Sequence, residues 1–144
     1  MGLSTFNVTV GIIINSAEGL EKVSAIMGIP QSQRYDSSRA FDKEVCYIKE
    51  NSWIYRVQYG EQTDIENCVR CFLELVPDFS SKLAKIHEIG ECVLRISIVS
   101  LYAQLGISLS SNMLKLLNNL NIPFEITVFS FGNCIDEADE NSIT

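Results

Sequence analysis

GISLSSNMLKLLNNLNIPFEITVFSF, residues 106–131, holds a whole helix-to-strand unit, and its reading decides the fold. Ser108 or Ser110 is placed to cap an amphipathic helix over residues 111–120 with a Leu-rich run. Asn121 suits the position just past a helix C-terminus, and Ile122-Pro123 leads directly into a strand over residues 124–131. With almost no slack between them, the two elements are committed to one packing arrangement. The stretch names no substrate, metal or cofactor.

Working outward, residues 92–101 alternate as a long strand, with Val93, Arg95, Ser97 and Val99 on one face and Cys92, Leu94, Ile96 and Ile98 on the other. Before it, Asp64 is a natural N-cap for a helix carrying Ile65, Cys68, Val69, Phe72, Leu73 and Val76 at helical spacing. Pro77 and Asp78 interrupt that pattern, predicting a kink or a second helix over residues 78–89 with Phe79, Leu83 and Ile86 inward. Gly90 closes it. Residues 44–59 read as two strands, 45–48 and 53–59, joined by a turn and ended by Gly60. Trp53, Tyr55, Val57 and Tyr59 share one face, opposite Ile54, Arg56 and Gln58.

The chain opens on a β-branched strand, residues 6–14. A helix over 16–27 is then expected with Ser16 as N-cap, Leu20, Val23, Ile26 and Met27 on one face, and Gly28 and Pro30 as stops. Residues 31–42 are polar and aperiodic and read as a loop. Residues 1–132 therefore form a single α+β domain, and residues 133–144, with Asp136, Glu137, Asp139 and Glu140, an acidic tail. The expected architecture is an antiparallel or mixed sheet with helices packed on one face, a sandwich of ferredoxin-like character.

A length of 144 residues suits one core, and 47% hydrophobic with 20% charged residues is ordinary for a globular protein. Apolar runs such as Ile12-Ile13-Ile14 are far short of the roughly 20 residues that span a bilayer. Residues 1–7 hold no basic side chain, which predicts no signal peptide, and the five cysteines (Cys46, Cys68, Cys71, Cys92, Cys134) read as reduced thiols. A cytoplasmic location follows as the expectation. The net charge of -7, with basic residues scattered, argues against nucleic acid and favours a basic partner or plain solubility.

His87 is the only histidine; a lone His without matched Cys or Asp spacing is weak evidence of a base or metal site, and a cation near a helix C-terminus explains it completely. Cys68 and Cys71 form a C-x-x-C pair, but no second pair completes a zinc site and both fit an apolar helix face. Phosphate loops, a nucleophile elbow and a calcium loop are missing from the sequence. No catalytic residue, metal ligand or cofactor is assigned. What remains is acidity: Asp36, Asp42, Glu44, Glu50, Glu61, Asp64 and Glu66 gather around the loops that flank the paired strands.

The helix ending in Ile26-Met27-Gly28-Ile29-Pro30, the strand from Trp53, the alternating strand 93–99 and the Ser108-Leu109-Ser110 helix together resemble the bacterial family called domain of unknown function 4279. The resemblance runs over residues 6–131 and implies the fold; it carries over no catalytic residue. Glu125 departs from the Asp expected there. More loosely, the chain is similar to immunity proteins encoded beside bacterial toxins. Joined to the acidic loops, this makes the expectation a non-enzymatic protein that neutralises a cognate, basic toxin, with Asp36, Asp42, Glu44, Glu50, Glu61 and Asp64 meeting its cationic site and Tyr35, Phe41 or Trp53 as anchors. The alternative is a small-ligand-binding or regulatory domain. An open sheet edge leaves homodimerisation or strand addition open as well.

Overall fold

Alternation in the strands sets which side chains meet the helices. The structure, a computed structural model, describes residues 6–30, 52–62, 64–102 and 106–133. In β1 (Phe6–Ser16), Phe6, Val8, Val10, Ile12 and Ile14 point to one face and are buried. Trp53 of β2 (Ser52–Gln62) and Leu94, Ile96 and Ile98 of β3 (Gly90–Tyr102) join them. β4 (Phe124–Asn133) completes a sheet of order β2-β1-β3-β4. β1 is antiparallel to β2 and β3, whereas β3 and β4 are parallel. A parallel pair needs a crossover, and α4 (Ser111–Asn119) supplies it.

The described helices all pack on that one face. α1 (Leu20–Met27) contributes Val23 and Met27, and α2 (Ile65–Glu74) contributes Cys68, Val69 and Phe72. α3 (Phe79–His87) adds Leu83 and Ile86, and α4 adds Met113 and Leu117. Burying each such aliphatic side chain is worth roughly 1.5–3 kcal/mol relative to exposure. The protein is thus an α+β two-layer sandwich with a mixed sheet, as the periodicities predict. Its ferredoxin-like character lies in that layering, and its strand order is its own.

Several local expectations shift. The N-cap of α1 falls three residues late, at Gly19, because Ser16 is otherwise engaged. Its hydroxyl donates to the Ile89 carbonyl at 2.8 Å and accepts from the Glu18 amide at 3.1 Å, tying the end of β1 to the entry of β3. Gly60 does not end β2. It takes a positive φ of 71° where the β1–β2 register slips between Val8 and Thr9, and the strand continues past this irregularity to Gln62. At Pro77 the chain makes two helices rather than one kinked helix, turning at Asp78 with φ 54°. The expected strand 45–48, the loop 31–42 and all of the tail beyond residue 133 lie outside the described residues.

The sheet has two distinct ends. Its head holds Phe6, Gln62 and the last residues of β3 and β4; its foot holds Ser16, Ser52 and the first residues of β3 and β4. On the face away from the helices, Ile13, Ile54 and Val93 form a small second apolar cluster near the foot. Beside it runs a row across all four strands: Arg56, Gly11, Arg95 and Glu125 in mutual register.

Candidate functional site

At the head, two helices begin side by side. Asp64 caps α2, its carboxylate accepting from the Asn67 amide at 3.3 Å, and Ser110 caps α4, accepting from the Met113 amide at 3.1 Å. The helices are joined by Glu66, whose carboxylate accepts from the Ser110 backbone N–H and, at 3.2 Å, from the Ser110 hydroxyl. An anion there also meets the positive end of the α4 dipole. Between them opens a hollow of about 460 Å³, lined by Phe6, Asp64, Ile65, Glu66 and residues 106–110. Among the described residues, no basic side chain lines it.

Of the residues expected to meet a partner, the head brings Asp64 to this hollow and leaves Glu61 exposed at the nearby end of β2. Trp53 is corrected: it is fully buried, and its indole N–H donates to Ser24 Oγ at 2.8 Å, so it is core and offers no surface to a partner. Tyr35, Asp36, Phe41, Asp42, Glu44 and Glu50 lie outside the described residues. Sequence reading placed Glu66 in the acidic group but missed its link to Ser110. The two residues are 44 positions apart, and only the capping pattern of the Ser108-Leu109-Ser110-Ser111 run marks one partner.

The chemical candidates take structural places. His87 Nε2 lies 2.8 Å from the Asn121 carbonyl, fastening the end of α3 to the turn before β4. Cys68 is buried and its thiol lies 3.5 Å from the Asp64 carbonyl, whereas Cys71 is exposed, contrary to the expectation that both pack inward. Burial, then the charges of Asp64 and Cys71, push the Cys68 thiol up, which opposes formation of a reactive thiolate. Tyr59 has a buried hydroxyl with no hydrogen-bond partner, and desolvation, reinforced by Cys71 and Cys68, pushes it up to about 12. Among the described residues, no group of three or more His, Cys, Asp or Glu is placed to hold a metal ion.

On the helix-free face, Arg95 Nε donates to Glu125 Oε1 at 2.9 Å, and Nη2 makes a Coulombic contact with the same oxygen at 2.8 Å. The longer side chain at position 125 thus finds a buried guanidinium. The hollow beside this pair measures about 20 Å³, room for little more than one water, so the row holds the sheet together rather than a ligand.

Among the described residues, no helix is long and apolar enough to cross a membrane. No curated protein and no solved structure matches the chain. A family model does match, over residues 12–130, which takes in all four described helices, β2 and β3 whole, the second part of β1 and most of β4. The chain belongs to the family described as Domain of unknown function (DUF4279).

Proposed function

We propose that this chain is a non-enzymatic binding protein that neutralises a basic bacterial toxin. The observation that carries the reading is the head hollow, whose charged lining residues among those described, Asp64 and Glu66, are both acidic, in a chain of net charge -7. A cationic side chain entering it would meet carboxylates and serine hydroxyls, and the surrounding negative field would speed encounter. Exposed Glu61 extends the same charge along the end of β2.

The test is a titration of the toxin domain co-purified from the host, repeated in rising salt. Asp64→Asn is the informative variant, because asparagine caps a helix as well as aspartate and only the charge is lost. Nanomolar binding that weakens in salt and drops several-fold in Asp64→Asn supports the reading. A partner held equally tightly by Asp64→Asn and Glu61→Gln, with no salt dependence, would sink it.

A further inference from the structure

The foot of the sheet carries a second hollow, of about 340 Å³, at the lower end of the size range typical of small-molecule sites. Its floor and walls are Ile13, Val93, Cys92 and Pro123. Ile13, Val93 and Cys92 are already buried, so the gain from an apolar body seated there is the withdrawal of that body's own surface from water. Burial pushes the Cys92 thiol up to about 12, so it stays protonated and serves as an apolar surface.

Among the described residues the polar lining is Asn15, His87 and Glu91, with no lysine or arginine. A carbonyl can only accept, so the 2.8 Å contact with Asn121 fixes the proton on His87 Nε2. In the neutral ring Nδ1 is then an acceptor. Asn15 is oriented by Ser52, whose hydroxyl donates to its Oδ1 at 2.5 Å. Glu91 is exposed and contributes a carboxylate to the lining. With Asn15 Oδ1 already taken by Ser52, the pocket pairs an apolar floor with the Glu91 carboxylate and the His87 ring, and its complement is a cationic head on a short apolar body.

We propose that this hollow binds a small primary amine, the ammonium group meeting Glu91 and His87 and the hydrocarbon body covering Ile13 and Val93. This site stands apart from the acidic head and does not depend on the toxin-binding reading.

Calorimetric titration of the full chain at pH 8 with hexylamine and phenethylamine, against hexanol and hexanoate, tests it. Saturable binding of the amines is expected, about tenfold tighter than hexanol, with no binding of hexanoate. Glu91→Gln should cost the amines about tenfold in affinity with the melting temperature unchanged. Amide resonances of Glu91 and Val93 should shift on titration while those of Asp64 and Glu66 hold. Absence of saturable amine binding, equal affinity for hexanoate, shifts confined to the head, or full affinity in Glu91→Gln each overturns the proposal.

Discussion

At the head, carboxylates and serines line a wide hollow of about 460 Å³; at the foot, Ile13, Val93, Cys92 and Pro123 line one of about 340 Å³. The contrast follows from helix polarity. α2 and α4 both begin at the head, and helix starts leave amide N–H groups that need acceptors, which Asp64, Glu66 and Ser110 provide. The end of α3 and the turn after α4 meet at the foot, where carbonyls need donors, and His87 and Ser16 donate to those of Asn121 and Ile89. Acidity at one end is thus partly a by-product of capping. Whatever either end binds has been superimposed on that structural requirement.

The sharpest way to break the comparison is with two glycines. A Cβ built on Gly90, at the foot, would sit 2.2 Å from the Asn15 carbonyl oxygen and 3.0 Å from Ser16 Cα, both backbone atoms. Gly90→Ala therefore has to push β1 and β3 apart and is expected to cost about 3 kcal/mol, read as a fall in urea midpoint. Gly106, in the head hollow, has nothing within 4 Å of its Cβ position. Gly106→Ala should stay within about 0.5 kcal/mol of the parent. Equal losses at the two positions would show that the foot is no more tightly built than the head.

A smaller effect separates capping from binding at the head itself. Ser110→Ala removes the acceptor for the Met113 amide and one donor to Glu66, and should cost about 1 kcal/mol in chemical denaturation. Asp64→Asn, which keeps its cap, should cost almost nothing in the same assay while weakening a basic partner. If Asp64→Asn loses as much stability as Ser110→Ala, the Asp64 charge is structural and the partner argument loses its best residue.

Local chemistry explains how much of this could be read from residues in order. The Ser110 cap, the Asn121 turn with φ 54° and the alternation of β3 are each decided within a few positions, and all were legible. Ser16 was misread because its nearest helical pattern suggested a cap, whereas the competing acceptor, the Ile89 carbonyl, lies 73 positions away. Alternation groups Trp53 with Tyr55, Val57 and Tyr59 on one face, but its full burial depends on Ser24 and on helices that no strand pattern specifies. Both hollows are products of distant segments. The head joins Phe6, Glu66 and Ser110, and the foot joins Ile13, Glu91 and Pro123, so neither has a contiguous signature.

The mildest perturbation of the two ends is alkali, because nothing is deleted. Cys92 at the foot rises from 9.0 to about 12, and Tyr59, close to the head on β2, from 10.0 to about 12, in both cases chiefly through burial. Each group stays protonated in the folded protein over a range where the unfolded chain has released its proton. The unfolded state then binds fewer protons, so stability falls as pH rises. The contribution is fully present below pH 9 and is lost between pH 9 and about 12, with Cys92 starting one unit before Tyr59. Urea midpoints should accordingly hold flat from pH 7 to 9 and decline above it, with Cys92→Ala flattening the early part of the decline and Tyr59→Phe the later part. Cys68, in the first turn of α2 at the head, is also pushed up by burial, so amide exchange resolved by residue should show both ends loosening above pH 9, with the loosening at the foot suppressed in Cys92→Ala. Loosening confined to the head would break the foot's share of this account and leave Cys68 and Tyr59, with its unpartnered hydroxyl, to carry the alkaline loss.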